Sequence, residues 1–149
     1  MTETANDRIR VEAPADRCWD VAIDFESYPE WVRDVKEVHT IERDPEGRGK
    51  RVEYRAAALG KSIRYTLDYD WSEAPRAFTW TLVEGEMLRA LDGRYEFAPD
   101  DASGRAGTLV TYDLRIDLSL PMPGMVKRRA GALIVHNALQ ELKRAAEGT

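Results

Sequence analysis

The chain has 149 residues, a length that suits a single domain over 1–149 with a core large enough to fold without disulfides or a structural metal. Charged residues make up 33% of it and the formal net charge is −5, which argues against a nucleic-acid-binding protein because such proteins need a basic face. Cys18 is the only cysteine, so no internal disulfide forms. The sequence has no apolar segment long enough for a signal peptide or a membrane span. We therefore expect a soluble, cytoplasmic protein.

The N-terminal part is predicted to form a short strand followed by two helices. Residues 8–11 alternate polar and apolar side chains, as a strand does. Pro14 suits the first turn of a helix, and apolar residues recur at helical spacing over 15–25. A second, shorter helix is predicted over 27–32, with Pro29 near its start.

The next strand, over 35–43, has an imperfect alternation that leaves two orientations open. In one, His39 and Ile41 point toward the interior. In the other, a β-bulge shifts the pattern and Val38 points inward instead.

From residue 44 onward, the sequence alternates strands with turns rich in glycine and proline. Strands are predicted over 51–57, 63–71, 78–83, 91–97 and 108–118. Hairpin-length turns join most of them, so the sheet is expected to be antiparallel. A polar loop is predicted over 99–107. After the proline-rich segment 121–124, a proline-free helix is predicted over 125–147.

One predicted strand carries a row of large side chains on a single face: Ile63, Tyr65, Leu67, Tyr69 and Trp71. A sheet that packs only on protein has little use for so many rings with polar tips. A sheet that curves around an apolar ligand can use such rings, because each ring offers apolar surface for binding and a polar group that orients the ligand.

The order of elements predicts an α+β fold in which a curved, seven-stranded antiparallel sheet wraps around a long C-terminal helix, with two short helices after strand 1. Small residues are expected to thin the lining of this sheet and helix: Ala56, Gly93, Gly131 and Ala138. We therefore expect a cavity between the sheet and the C-terminal helix.

Several motifs resemble one family across nearly the whole chain: Val-Glu-Ala-Pro-Ala at 11–15, Trp-Asp-Val at 19–21, Asp-Phe-Glu-Ser-Tyr-Pro-Glu-Trp at 24–31, Leu-Asp-Gly-Arg-Tyr-Glu-Phe at 91–97, Gly-Thr-Leu-Val-Thr-Tyr at 107–112 and Ala-Leu-Gln-Glu-Leu-Lys at 138–143. The sequence resembles the START-like, pollen-allergen-like helix-grip superfamily. More closely, it resembles the polyketide cyclase/dehydratase-like branch, which includes coenzyme-Q-binding START proteins. The resemblance implies a helix-grip fold with a deep hydrophobic cavity for lipids, quinones, sterols or polyketides. The motifs are specific for the fold and poorly specific for activity, since members include carriers, chaperone-like binders, cyclases and sensory domains.

The predicted ligand-binding residues come from the inner faces of the strands and from one stripe of the last helix. They are Tyr54, Tyr65, Leu67, Tyr69, Trp80, Leu91, Tyr95, Tyr112, Leu114, Arg128, Gly131 and Val135.

Arg128 falls in the same helical sector as Gly131 and Val135, which is expected to face the sheet. It is interpreted either as a group at the cavity mouth that meets a carboxylate, phosphate or quinone oxygen, or as an ordinary arginine that reaches solvent or an acidic partner near the helix start.

No catalytic residue, cofactor or metal site is predicted. The two histidines, His39 and His136, lack a third ligand at metal-binding spacing.

The opposite side of the last helix carries a second apolar strip that includes Val126, Ala130 and Leu133, close to the cations of 127–129. The strip is interpreted as a scatter of surface hydrophobic residues, as a homodimer contact, or as a face that touches a membrane transiently. In the membrane interpretation, the segment 120–125 adds an exposed apolar tip.

Three functions are compatible with this sequence. We expect binding or transport of a hydrophobic small molecule, such as a lipid, quinone or polyketide-like compound. The alternative is a cyclase, aromatase or dehydratase that acts on a polyketide-like substrate, which needs at least one acid or base inside the cavity. A second alternative is a protein-interaction module with a vestigial cavity that binds its partner through the second apolar strip of the last helix.

Overall fold

The computed structural model describes residues 2–58, 60–101 and 104–148. Along these residues the elements are β1 (Glu3–Val11), α1 (Ala15–Ile23), a 3₁₀ turn (Phe25–Ser27), α2 (Tyr28–Trp31), β2 (Val35–Arg43), β3 (Gly49–Ala58), β4 (Lys61–Asp70), β5 (Ala77–Gly85), β6 (Leu88–Pro99), β7 (Thr108–Leu118) and α3 (Gly124–Glu147). The described strands form one seven-stranded antiparallel sheet in the order β1-β7-β6-β5-β4-β3-β2. The predicted helix-grip α+β fold is confirmed.

The first strand is longer than its sequence pattern predicts. β1 begins at Glu3, whereas alternation alone indicates a strand over 8–11. Its antiparallel pairing with β7 runs from the Glu3–Ile116 pair to the Val11–Thr108 pair. All of the extra residues except Ala5 are polar, so it is the backbone pairing with β7, rather than their own pattern, that makes them a strand.

The first helix is shorter than predicted. α1 ends at Ile23 and the 3₁₀ turn begins at Phe25. The predicted second helix over 27–32 consists of that turn followed by the four residues of α2. This break allows the Phe25 ring to be buried against the sheet rather than to continue the exposed side of a helix.

The open choice on β2 is settled by its pairing with β3. Val38 lies opposite Tyr54, whereas His39 lies opposite Glu53. Residues directly opposite each other in an antiparallel pair share a face of the sheet. An irregularity between Val35 and Glu37 shifts the pattern, so Val38 points inward and His39 outward.

The remaining strands match the predicted ones with shifted ends. β3 begins at Gly49, two residues before the predicted start, and β4 ends at Asp70, so Trp71 lies just beyond the strand. β6 has 12 residues and is longer than β4, which has 10. Pro99, predicted to open a polar loop, is the last residue of β6 and pairs with Thr108.

The long helix α3 lies across β1 and β7 and also packs on α1. Its buried stripe consists of Gly131, Val135, Leu139, Leu142 and Ala146. Two lysines fasten it to the sheet: Lys127 Nζ donates to the Leu118 carbonyl (2.9 Å) and Lys143 Nζ to the Arg10 carbonyl (3.1 Å). Of the helices in the described residues, none has the length and hydrophobicity needed to cross a bilayer.

Candidate functional site

The inner face of the sheet brings together aromatic side chains from five strands. Tyr54 on β3 lies opposite Tyr65 on β4, and Tyr95 on β6 lies opposite Tyr112 on β7. Tyr69 on β4 is opposite Trp80 on β5, which links the two tyrosine pairs. With Tyr28, which joins them from α2, the five strand tyrosines are called here the tyrosine cluster.

The rings of the cluster contact one another across the strands. The centroids of Tyr95 and Tyr112 are 4.5 Å apart, and the Trp80 ring lies 5.6 Å from each. Tyr54 and Tyr65 are stacked with their centroids 5.2 Å apart. The sequence-predicted aromatic residues are therefore brought onto one continuous surface.

The short helical segments after β1 close one end of this surface. The Phe25 ring is stacked on Tyr69 with a centroid distance of 4.2 Å, and Trp19 of α1 meets Phe78 edge to face at 5.6 Å. Tyr28 donates its hydroxyl hydrogen to the Ala22 carbonyl (2.5 Å). This end of the interior is filled by packed rings.

Gly93 does not widen the interior as expected. A Cβ atom on Gly93 would lie 2.2 Å from Cζ2 of Trp80, so the indole ring already occupies the space that the missing side chain leaves. Gly131 differs, since a Cβ there would lie 3.4 Å from Cγ2 of Ile116 on β7, which is an ordinary contact. The expectation that Gly93 thins a cavity wall is therefore wrong, and the same expectation for Gly131 stays a prediction.

The hydroxyl groups of the cluster fall into two sets. Tyr54 and Tyr69 are hydrogen-bonded to each other, with their oxygens 2.5 Å apart. Tyr65, Tyr95 and Tyr112 have no hydrogen-bond partner among the residues that the structure describes.

These three unpaired phenols are not sealed inside the protein. Within the described residues, Glu3 Oε1 is the one side-chain oxygen or nitrogen that is fully buried without a partner. The three phenol oxygens are thus in contact with accessible space, although Tyr95 and Tyr112 are only 8% and 7% exposed. Each can donate a hydrogen bond without breaking one within the protein.

Burial keeps all the tyrosines of the cluster neutral. Removal from water raises the pKa of Tyr54, Tyr69 and Tyr95 well above the usual value, and the neighbouring tyrosines raise it further. Burial also raises the pKa of Tyr28, Tyr65 and Tyr112. At physiological pH these groups are therefore neutral phenols, each able to donate a hydrogen bond.

We expect alkaline unfolding to be steep and to coincide with tyrosine ionisation. Each buried tyrosine stays protonated above pH 10, while a tyrosine in the unfolded chain loses its proton near pKa ~10. The unfolded state therefore binds fewer protons, so stability is complete below pH ~10 and falls as the pH rises, by up to about 1.4 kcal/mol per pH unit for each tyrosine. Absorbance at 295 nm and circular dichroism should change together; tyrosinate that forms while the fold persists would contradict this.

One acidic residue near the cluster was not singled out from the sequence. Glu141 is half-buried on α3, and its Oε2 accepts a hydrogen bond from the Arg33 amide (2.9 Å). The pKa of Tyr95 is raised most by burial, next by Tyr112 and Tyr28, and least by the charge of Glu141. The carboxylate therefore lies within electrostatic range of that phenol. The sequence holds one clue: Glu141 directly precedes Leu142 of the buried stripe.

The other predicted ligand-binding residues lie at different depths. Leu67, Leu114 and Val135 are buried, and Leu91 is half-buried. Arg128 is exposed and does not face the sheet with Gly131 and Val135, because the buried stripe of α3 begins only at Gly131. Its expected orientation is corrected, and a role for it in ligand binding stays a prediction.

The remaining titratable candidates lie outside the cluster. His39 and His136 are exposed, and in the described part of the chain no three His, Cys, Asp or Glu side chains are grouped to hold a metal ion. Cys18 is fully buried in the core, and burial raises the pKa of its thiol. An unreactive, packed cysteine is what this environment favours.

Comparisons with known proteins agree with this architecture. The chain is similar to a START superfamily protein from Mycobacterium smegmatis, with 21% identity, a TM-score of 0.88 and 97% of each chain covered. A protein from Thermus thermophilus shares 21% identity with a TM-score of 0.77 over 96% of each chain. The Zhui aromatase/cyclase from Streptomyces sp. R1128 shares 18% identity with a TM-score of 0.77, over 99% of this chain and 94% of that one. At these identities the likeness shows the fold.

Sequence comparison gives the family. No curated protein matches the chain. The sequence profile of a family described as polyketide cyclase/dehydrase and lipid transport matches residues 2–147. That description covers hydrophobic-ligand binding and polyketide cyclisation without choosing between them. Since the match extends over nearly the whole chain, this protein belongs to the polyketide cyclase/dehydrase and lipid transport family.

Proposed function

We propose that this protein binds and carries a hydrophobic small molecule that bears oxygen acceptors, such as a quinone, a polyketide-like aromatic compound or a lipid. The observation that carries the proposal is the set of three phenols, Tyr65, Tyr95 and Tyr112, which line the inner face of the sheet without a partner among the described residues. Donors left unpaired in a mostly apolar lining are what an oxygen-bearing apolar guest requires.

Apolar area would supply most of the affinity. Removing about 300 Å² of ligand surface from water contributes roughly 7.5 kcal/mol at about 25 cal/mol per Å², before the cost of association. Each phenol that donates to a ligand oxygen adds on the order of 1 kcal/mol and selects the ligand's orientation. The ring surface and the donors thus have separate roles, the first in affinity and the second in selectivity.

The state of the phenols favours binding over proton transfer. A general acid or base works best when its pKa lies near the operating pH, whereas burial moves the pKa of Tyr65 and Tyr112 away from neutrality. These two groups are suited to hold an oxygen atom in place. We expect the ligand to gain access by movement of the β5–β6 connection, where Gly85 lies opposite Tyr65, or of the proline-rich segment before α3.

Native mass spectrometry of the gently purified protein tests this proposal. We expect a stoichiometric adduct that organic extraction releases, or one that forms when the protein is incubated with a panel of ubiquinone analogues, fatty acids and polycyclic phenols. A denaturing spectrum of the same sample is the control, since a non-covalent ligand disappears from it. A protein that keeps its unliganded mass in every incubation would overturn the proposal.

The second candidate function is cyclisation of a polyketide-like substrate, with Glu141, which is half-buried on α3 and accepts a hydrogen bond from the Arg33 amide, as the proposed base. In this proposal the Glu141 carboxylate would take the proton from an acidic C–H, and the Tyr95 phenol would donate a hydrogen bond to the carbonyl oxygen that becomes charged. The resulting carbanion would attack a second carbonyl carbon of the same substrate chain, whose C=O π bond opens to an alkoxide, and the alkoxide would take back the proton from Glu141.

Glu141→Gln separates the two candidate functions. The variant keeps the size of the side chain and an oxygen that accepts from the Arg33 amide, but it removes the base. A poly-β-keto thioester analogue that is cyclised by the wild type and not by Glu141→Gln, with ligand binding retained, would establish the enzyme. Binding without turnover in both proteins would support the carrier.

A further inference from the structure

The N-terminal half of α3 carries apolar side chains that nothing in the described chain covers. Met125, Val126 and Leu133 are 65%, 45% and 56% exposed, and Ile134 beside them is also exposed. Together these four residues are called the α3 apolar patch. From the patch and the charges around it we infer that this end of α3 docks on an anionic lipid surface.

The charges within and next to the patch along the sequence have one sign. Lys127, Arg128 and Arg129 follow Val126 directly in the sequence, and no acidic residue lies between Asp117 and Glu141. None of the three cations forms an ion pair with a described residue. On the sheet, by contrast, Arg51 is paired with Asp68 at 2.7 Å.

The α3 apolar patch lies at the end of the helix that extends beyond the hydrophobic core. The buried stripe of α3 begins at Gly131, so the first two turns present side chains in most directions to solvent. The preceding segment adds half-buried Leu120 and Met122. An apolar tip with cations on its flank can place its apolar groups at the acyl boundary while the cations stay at the level of the phosphates.

The overall net charge of −5 does not oppose this contact. At physiological ionic strength, charges farther than about 8 Å apart are largely screened, so a docking surface responds to its local charge. A cluster of cations beside an anionic leaflet gains on the order of 1 kcal/mol for each cation, which corresponds to about fivefold in binding.

The same charges argue against a second copy of the chain as the occupant. A two-fold contact centred on the patch would bring two sets of Lys127, Arg128 and Arg129 to one interface. The stretch from residue 118 to residue 140 supplies no acid to pair with them. A lipid surface with anionic headgroups satisfies both the apolar and the charged parts of the patch.

Vesicle co-sedimentation tests the inference. We expect the wild type to bind phosphatidylcholine vesicles that contain 30% phosphatidylglycerol, and not pure phosphatidylcholine vesicles. The double variant Arg128→Glu/Arg129→Glu should bind at least about tenfold more weakly, because the net charge at the surface changes by four units. Leu133→Ser should also weaken binding, and 0.5 M salt should weaken it further.

Two control variants match these changes elsewhere on the molecule. Arg8→Glu/Arg105→Glu changes the net charge equally at two exposed arginines outside α3, and Ile41→Ser removes a side chain that is 51% exposed on β2. Both should bind vesicles as the wild type does, and circular dichroism should show every variant folded. Equal binding by the wild type and Arg128→Glu/Arg129→Glu would overturn the inference. So would a dimer that Leu133→Ser dissociates while no vesicle binds, since it would assign the patch to a second copy.

Discussion

Replacing Gly93 with alanine is expected to lower the free energy of unfolding by about 3 kcal/mol. The added Cβ would lie 2.2 Å from Cζ2 and 2.6 Å from Cε2 of Trp80, so the indole ring has to move. It has little room, because the rings of Tyr95 and Tyr112 both pack against it, each at 5.6 Å between centroids. Overpacking of this kind typically costs about 1–3 kcal/mol, and occasionally more. Urea denaturation followed by circular dichroism measures the change.

Gly131→Ala is the matched control for this substitution. A Cβ on Gly131 would lie 3.4 Å from Cγ2 of Ile116, which is an ordinary contact, and alanine is favoured over glycine within a helix by about 1 kcal/mol. We expect this variant to be as stable as the wild type or more stable. Equal losses at Gly93 and Gly131 would show that Trp80 does not set the cost at Gly93.

Removing the Tyr95 and Tyr112 hydroxyls together is expected to weaken ligand binding by about 10- to 100-fold. Two hydrogen bonds to a ligand oxygen contribute roughly 0.5–1.5 kcal/mol each, and Tyr→Phe removes each donor while leaving the ring in place. The prediction uses the ligand recovered by native mass spectrometry, with affinity measured by calorimetry on the wild type and on Tyr95→Phe/Tyr112→Phe.

The same double variant should fold as stably as the wild type. Neither hydroxyl has a partner among the described residues, so its removal breaks no hydrogen bond within the protein. Tyr54→Phe is the contrasting control, because it breaks the hydrogen bond to Tyr69 and should cost about 1 kcal/mol of stability. If the double variant instead loses stability and keeps its affinity, the two hydroxyls are structural and the proposed donors are wrong.

The candidate site was only partly predictable from the sequence. Alternation places Tyr65, Tyr69, Tyr95 and Tyr112 on inner faces, because side-chain direction in a strand depends on position alone. The division of their hydroxyls into paired and unpaired sets does not follow from alternation. It depends on the register that brings Tyr54 next to Tyr65 and within reach of Tyr69.

Errors in the sequence-based prediction have a common physical origin. The helical wheel places Arg128 with Gly131, but a wheel contains no information on where along its length a helix meets the sheet. Likewise, the absence of a side chain at Gly93 indicates free space only if no neighbour fills it, and Trp80 from the adjacent strand does. Both facts depend on contacts between residues far apart in the chain.

The sequence by itself determined the type and order of the elements, the antiparallel sheet and the family, because periodicity, turn residues and short motifs are local properties. The tertiary structure decided the inward direction of Val38, the length of β1 and the hydrogen bond that Glu141 accepts from the Arg33 amide. It also decided which polar groups stay without partners, since a hydrogen bond between distant residues exists only once the sheet has its final register. The unpaired phenols, on which the proposed function depends, are therefore a property of the folded sheet.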